Sequence, residues 1–207
     1  MTAQKLSQKE RIDFFHQQLK RTILILDGGM GTTIQSLQLS EQKFGGEAYD
    51  GCNEILNVQH PEIIKDIHRS FLEAGSDIIE TNSFGSSPVV LAEYGLEKRS
   101  YEISHAAARI ARETAAEYDS KDKPRFVAAS IGPTTKSISL PGGITFDEMI
   151  ENFYTQMRGL WDGGADIIYM ETAQDTLNLK AGGLALERLR RETGVEIPVM
   201  ISGTIEA

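Results

Sequence analysis

The chain has 207 residues, enough for one domain with a sizeable core, and its 40% hydrophobic and 25% charged residues match ordinary globular proteins. Lysine and arginine number 21 against 30 acidic residues, and the resulting net charge of −9 argues against binding to nucleic acid or to an anionic membrane. Because the sequence has neither a membrane-spanning apolar run nor a signal-peptide pattern, and only one cysteine, we expect a soluble, cytoplasmic protein that acts on small molecules.

Residues 1–22 predict an N-terminal helical extension, because charged and apolar residues alternate there at helical spacing. Residues 23–207 contain short runs rich in β-branched and apolar residues, which predict buried parallel strands. The five predicted strands are Ile23–Leu26, Asp77–Glu80, Phe126–Ser130, Asp166–Met170 and Pro198–Ser202.

Helical patterns with recognisable ends separate these strands. A proline opens one helix and Gly75 follows it, while Thr145 and Glu148 form a capping box that starts another. Gly182 and Gly183 weaken the last pattern by about 1 kcal/mol each relative to alanine. The predicted helices are Pro61–Ala74, Glu97–Tyr118, Thr145–Trp161 and Asp175–Glu192.

Strands and helices that alternate in one direction form either an open doubly wound sheet or a closed barrel. Residues 73–80 (EAGSDIIE) and 162–169 (DGGADIIY) repeat the same turn from a helix end into a strand, which favours the barrel. A (β/α)8 barrel has eight strands in about 250 residues, whereas about five strands are predicted here. We therefore expect an incomplete α/β barrel of the TIM type over residues 23–207.

Polar residues follow the predicted strands, at the ends where parallel α/β folds bind ligands. Carboxylates there suit the ammonium group of a free amino acid, and a glycine-rich backbone offers N–H donors to its carboxylate. Structural alternatives remain open, since glycines also form tight turns, carboxylates also hold neighbouring loops, and an asparagine also caps the backbone. The candidate binding residues are Asp27, Gly28, Gly29, Glu80, Asn82 and Glu171.

The remaining motifs argue against other chemistries. The glycine-rich segment matches neither phosphate-binding loop pattern, so nucleotide binding is not expected. The four histidines, His16, His60, His68 and His105, have no metal-ligand spacing and are interpreted as surface or packing residues. Cys52 lies in a polar loop without a thiol partner nearby in sequence and is interpreted as a plain loop cysteine rather than a nucleophile.

Five motifs taken in chain order, LDGGMGT, EAGSDIIETNSF, IGPT, GGADIIYMET and PVMISGT, resemble the homocysteine S-methyltransferase family. Within it, the chain looks like the homocysteine-binding N-terminal domain of cobalamin-dependent methionine synthases, and the likeness covers residues from about Ile23 to Thr204. Relatives that use betaine or S-methyl donors share the fold. The stretch before DGGMGT and the ETNSF motif favour the methionine synthase branch.

The resemblance implies methyl transfer to the sulfur of homocysteine, giving methionine, with methylcobalamin as methyl donor in the full-length enzyme. It also implies a zinc ion held by three cysteine thiolates at the later strand ends, where zinc would keep the homocysteine sulfur as the nucleophilic thiolate. The amino acid end of homocysteine would lie at the early strand ends, on the six candidate binding residues.

The family's zinc cysteines lie downstream of the PVMISGT motif, and this sequence ends at Ala207 before reaching them. Cys52 alone cannot replace a three-cysteine site. We therefore expect a truncated domain without metal ligands, inactive alone, whose partners are homocysteine and either the missing barrel half or a second copy. The alternatives are a non-catalytic fragment or assembly half, and a pterin-type barrel synthase, which the absence of its phosphate-binding loops disfavours.

Overall fold

A parallel four-stranded sheet forms the centre of the computed structural model, which describes residues 6–120, 123–141 and 143–205. Neighbouring strands in the sheet are also neighbours along the chain, and every pair is parallel. Such an order requires a crossover connection after each strand, as in the wall of an α/β barrel. The strands are β1 (Ile78–Glu80), β2 (Phe126–Ile131), β3 (Ile167–Ala173) and β4 (Val199–Gly203).

The first predicted strand, Ile23–Leu26, does not form a ladder, and the prediction of five strands is corrected to four plus one extended segment. Leu26 makes a single parallel bridge to Ile78, and the Ile25 carbonyl accepts hydrogen bonds from the N–H groups of Asp77 and Ile78. Among the described residues this segment has a strand on one side only. Ile23 is consequently 84% exposed and Ile25 54% exposed.

The helices lie between and before the strands. Four predicted helices are confirmed in position, and several shorter ones in the loops were not predicted. The α-helices are α1 (Gln8–Leu19), α2 (Met30–Ser36), α3 (Glu41–Phe44), α4 (Leu56–Gln59), α5 (Pro61–Ala74), α6 (Pro88–Leu91), α7 (Ser100–Ala115), α8 (Phe146–Asp162) and α9 (Thr176–Thr193). Short 3₁₀ helices lie at Glu47–Tyr49, Asn53–Ile55, Ala92–Tyr94 and Glu97–Arg99.

Local signals place the helix ends. The helix α5 begins at Pro61 and ends before Gly75, whose φ of 111° is the left-handed conformation that glycine adopts without strain. The capping box at Thr145 and Glu148 is present at the start of α8. The prediction of one helix over Glu97–Tyr118 is corrected, because residues 97–99 form a 3₁₀ turn before α7 begins.

The two faces of the sheet are covered differently. Side chains such as Ile79, Val127 and Ile168 point to an outer face, where they pack with residues of α7, α8 and α9 in the main core. Gly182 lies inside α9 because a side chain there would overlap the end of Met170 on β3. The opposite, inner face carries a smaller apolar cluster that includes Ile78, Phe126, Ala128 and Ile167.

Helix α1 closes the inner face at the amino ends of the strands. The Phe15 ring lies 5.2 Å from the Phe126 ring in an edge-on contact, and Arg11 donates to the buried Asp166 carboxylate at 2.7 Å. The helix is therefore part of the packed body, while the domain boundary at residues 22 and 23 stays a prediction. Within the described ranges, no helix combines the length and apolar character needed to cross a membrane.

Candidate functional site

The inner face of the sheet becomes polar at the carboxyl ends of the strands. Ile78, Ala128 and Tyr169 contribute to the apolar cluster on this face. Because side chains alternate between the faces of a strand, the residue two positions further along each strand points the same way. These residues are Glu80, Ser130 and Glu171. The sheet thus places a polar layer directly above an apolar one.

Asp27 joins this layer from the extended segment beside β1. The Asp27 N–H donates to the Ile78 carbonyl at 3.0 Å, which continues the bridge made by Leu26. The Glu80 N–H donates to both carboxylate oxygens of Asp27, 3.1 Å from each. Asp27 therefore has a structural role at the strand end in addition to contributing a charge.

Glu171 reaches the layer next to a backbone irregularity in β3. The register between β3 and β4 shifts between Met170 and Ala173, and Thr172 has a φ of 57°. A β-branched residue in the left-handed region is strained, and such strain is commonly found at functional sites. The Ser202 hydroxyl of β4 accepts the Thr172 N–H at 3.1 Å and so holds this conformation.

The three carboxyl groups of Asp27, Glu80 and Glu171 influence one another. Burial raises the pKa of Asp27 to about 7, and the charge of Glu171 contributes to that rise. Burial raises the pKa of Glu80 to about 8, with further contributions from Glu171 and Asp27. Burial also raises the pKa of Glu171, against a hydrogen bond from Ser130 that lowers it.

No lysine or arginine of the described residues forms an ion pair with these three carboxyl groups. Half-buried carboxylates that lack a countercharge favour either protonation or a cationic ligand. We refer to Asp27, Glu80 and Glu171 as the carboxylate cluster. Its chemistry fits the ammonium group of a small molecule.

Asn82 is two positions from Glu80 in sequence, but its side chain is hydrogen-bonded to the 3₁₀ helix Asn53–Ile55 and to α4. Its side-chain amide donates to the Asn53 carbonyl at 2.8 Å and to the Asn57 side chain at 3.3 Å, and the Asn57 amide donates back to the Asn82 carbonyl at 2.7 Å. Asn82 is almost completely buried. A ligand could therefore use only the side-chain oxygen of Asn82, and its binding role stays a prediction.

Gly28 and Gly29 are exposed and lead into α2, a helix that the sequence did not predict. Neither glycine has a positive φ, so the turn does not require left-handed backbone. A side chain on Gly28 would come within 3.2 Å of the Phe71 ring, and one on Gly29 within 2.7 Å of the Thr32 hydroxyl. Close contacts explain the absence of side chains here.

Cys52 and His68 are packing residues. Cys52 is completely buried, more than its polar neighbours in sequence suggested, and burial raises the pKa of its thiol to about 12. Such a thiol is inert as a nucleophile at neutral pH. His68 is also fully buried, and burial lowers its pKa to about 3.

The described residues do not fit the zinc site that the family resemblance implies. Within residues 6–120, 123–141 and 143–205, no three histidine, cysteine, aspartate or glutamate side chains gather closely enough to hold a metal ion. The single thiol, on Cys52, lies 3.9 Å from a Glu54 oxygen inside the core. No step of the reaction can be assigned to a metal held by these residues.

Sequence reasoning missed Ser130, Thr172 and the contact of Asn82 with residues 53–57. Ser130 could have been found, because it is the polar residue that ends a predicted apolar strand and has the same alternation as Ala128. The conformation of Thr172 depends on Ser202, 30 positions away, and Asn82 contacts Asn53, 29 positions away. No pattern in the sequence near Thr172 or Asn82 indicates these contacts.

The fold is similar to that of solved methyltransferase structures. Three solved structures of the homocysteine methyltransferase MmuM from Escherichia coli, in oxidized, metallated and apo forms, are each 22% identical to this chain, with TM-scores of 0.70, 0.68 and 0.66. They match 86%, 84% and 91% of this chain. The chain spans 62% of the length of these structures, and its fold is an incomplete barrel of the TIM type.

The family model of the homocysteine S-methyltransferase domain matches residues 24–207. The matched region contains the whole sheet, the carboxylate cluster and the glycine-rich segment. The chain therefore belongs to the homocysteine S-methyltransferase family.

Proposed function

We propose that this chain forms the amino acid end of a homocysteine pocket, in a methyltransferase that methylates the homocysteine sulfur to give methionine. The observation that carries the proposal is the carboxylate cluster, in which Asp27, Glu80 and Glu171 lie together at the carboxyl ends of the strands and form no ion pair with any lysine or arginine of the described ranges. An ammonium group placed there would replace bound protons and neutralise the mutual repulsion of the carboxylates.

The two ends of the amino acid have different partners in this proposal. The ammonium group lies against the carboxylate cluster, and the α-carboxylate lies at the exposed backbone of Gly28 and Gly29, which lacks side chains that would block approach. Asn82 contributes its side-chain oxygen. The sulfur would then point away from these residues, toward the reacting methyl group.

The methyl donor is assigned by resemblance. The stretch before DGGMGT and the ETNSF motif favour the methionine synthase branch, with methylcobalamin as the donor, over relatives that use betaine or S-methyl donors. Because the described residues hold no zinc site, we propose that this chain alone binds the amino acid weakly and does not catalyse the transfer.

The test uses ligands that lack one end of homocysteine. Binding to the 207-residue chain would be followed by NMR for homocysteine, for 4-mercaptobutyrate, which lacks the ammonium group, and for 3-aminopropanethiol, which lacks the carboxylate. We expect homocysteine to bind, 3-aminopropanethiol to bind more weakly and 4-mercaptobutyrate not to bind.

Variants of the carboxylate cluster provide the control. Glu171→Gln should weaken homocysteine binding by about tenfold, because it removes a charge-assisted hydrogen bond. Glu97→Gln, an exposed acid outside the cluster, should bind homocysteine as the wild type does. Binding of 4-mercaptobutyrate as tight as that of homocysteine would contradict the proposal.

A second candidate function is that of an assembly half, which binds another protein surface through its sheet edges. It is favoured by the exposed apolar side chains on the extended segment and on β4, where Ile201 is 55% exposed. Such edges promote association. The oligomeric state in solution tests this candidate.

A further inference from the structure

A ring of buried hydrogen bonds fixes the backbone of Ser130 behind the carboxylate cluster. The Ser130 N–H donates to the Thr81 hydroxyl at 3.0 Å, and the Ser83 hydroxyl donates to the Ser130 carbonyl at 2.7 Å. The two hydroxyl oxygens of Thr81 and Ser83 are 2.5 Å apart. All three residues are almost completely buried.

The proton positions in this ring follow from counting donors. A hydroxyl has one proton to donate, and that of Ser83 goes to the Ser130 carbonyl. Thr81 must therefore be the donor in its contact with Ser83, while its oxygen accepts the Ser130 N–H. The Ser130 N–H, the Thr81 hydroxyl and the Ser83 hydroxyl therefore each donate to one acceptor in the ring. Because both the N–H and the carbonyl of Ser130 are bound, the ring fixes the backbone of this residue.

The Ser130 hydroxyl is not used by the ring and points along the inner face of the sheet. It donates its proton to Oε1 of Glu171 on the neighbouring strand. This hydrogen bond uses one lone pair of Oε1, whereas Oε2 has no hydrogen-bond partner among the described residues and can accept from a ligand. A charge-assisted hydrogen bond of this kind also fixes the side-chain rotamer of the acceptor.

We infer that Ser130 is a positioning residue, which orients the Glu171 carboxylate so that Oε2 meets the ammonium group of the bound amino acid. The inference rests on the proposed function of the carboxylate cluster. Ser130 itself does not touch the ligand in this arrangement. Thr81 and Ser83 act one step further back, because they fix the strand position from which Ser130 donates.

The hydrogen bond has a second effect, on the charge of Glu171. Burial raises the pKa of this carboxyl group, and the Ser130 hydroxyl opposes that rise. Loss of the hydroxyl should therefore raise the pKa of Glu171 further. A serine that only filled space would not have this effect.

The experiment measures Glu171 directly. The side-chain carboxyl carbons of glutamate would be labelled with ¹³C in the full chain, the Glu171 signal assigned by its absence in Glu171→Gln, and its titration compared between the wild type and Ser130→Ala. We expect a higher pKa for Glu171 in Ser130→Ala, together with homocysteine binding weakened by about tenfold.

Two further variants separate positioning from packing. Ser130→Thr retains the hydroxyl on a β-branched residue suited to a strand, and it should restore both the titration and the binding. Ser100→Ala removes an equally buried hydroxyl, one that donates to the Ser86 carbonyl, and it should change neither. Ser130→Cys, nearly the same size as serine but a weak donor, replaces Ser130→Ala if the alanine variant does not fold.

An unchanged Glu171 titration in Ser130→Ala, or unchanged homocysteine binding by that variant, would overturn the inference while leaving the proposed function intact. A wild-type chain that binds no homocysteine at concentrations up to about 10 mM would instead overturn the proposed function, and the positioning role with it.

Discussion

Asp27 and Glu80 are joined by a bifurcated hydrogen bond, in which the Glu80 backbone N–H donates to both oxygens of the Asp27 carboxylate. The contact ties the extended segment to β1 at the position where two acidic side chains come together. Burial and the neighbouring negative charges raise the pKa of both carboxyl groups. The Asp27 carboxyl group thus holds the end of β1 in a position where burial and nearby negative charge disfavour its ionised form.

The stability of the fold should decrease as the pH rises through neutrality. In the unfolded chain Asp27 and Glu80 ionise near their ordinary pKa values of 3.8 and 4.5, whereas in the folded chain they ionise near 7 and 8. Between these values the folded state holds protons that the unfolded state has lost, so the free energy of unfolding falls with pH. From about pH 5 to pH 8 we expect a loss on the order of 1–2 kcal/mol after solvent screening.

Urea unfolding at several pH values measures this loss. The Glu80→Gln variant removes one of the titrating groups and should show a shallower fall, while Glu97→Gln should retain the slope of the wild type. The same slope in Glu80→Gln as in the wild type would show that this carboxyl group is not protonated in the folded state.

Thr172 should be a site where a substitution stabilises the fold. Its φ of 57° costs an ordinary residue about 1–2 kcal/mol, and asparagine tolerates the left-handed region better than a β-branched residue does. We expect Thr172→Asn to raise the free energy of unfolding by about 0.5–1 kcal/mol. Thr176→Asn, at an exposed position without a positive φ, should give no such gain in the same denaturation experiment.

Local sequence patterns correctly predicted several helix ends and the grouping of the acidic residues at the strand ends. Both ends of α5 follow from Pro61 and Gly75, and the start of α8 follows from the capping box. The proximity of Asp27, Glu80 and Glu171 follows from their positions at the carboxyl ends of the predicted strands. Such predictions need only periodicity and the rule that the carboxyl ends of parallel strands share one edge.

The features that were missed depend on contacts between distant residues. Ile23–Leu26 has the composition of a strand but pairs on one side only, and Cys52 has polar neighbours in sequence but lies in the core. The amide of Asn82 is bound by Asn53 in a 3₁₀ helix and by Asn57 in α4, more than 20 positions away in sequence. The composition of a segment indicates its tendency to form a strand or a loop. Whether the segment pairs with another strand or is buried depends on which distant parts of the chain pack against it.

The buried ion pair between Arg11 and Asp166 should be important for attaching α1. Asp166 is completely buried, and besides Arg11 it contacts Arg112 at 3.4 Å and accepts the Val127 N–H at 3.0 Å. In Arg11→Met the aspartate would keep only the longer ion pair, and breaking a buried pair costs about 3 kcal/mol. Thermal unfolding should show this loss for Arg11→Met but a change within about 0.5 kcal/mol for the exposed Arg21→Met.

The two edges of the sheet should cause self-association at high protein concentration. Ile25 on the extended segment is 54% exposed and Ile201 on β4 is 55% exposed, and both edges present backbone groups that can pair with another strand. Lysine at an edge opposes such pairing, since it places a charge where an apolar contact would form.

Size-exclusion chromatography with light scattering, over a range of concentrations, measures the association. We expect the wild type to form dimers or larger species and the double variant Ile25→Lys, Ile201→Lys to shift toward the monomer. Leu140→Lys introduces one such lysine, half the added charge of the double variant, at a 66% exposed leucine of the loop between β2 and α8, and it should leave the distribution unchanged. If the Leu140→Lys variant shifted as much as the double variant, the added charge would explain the effect, and the edges would not.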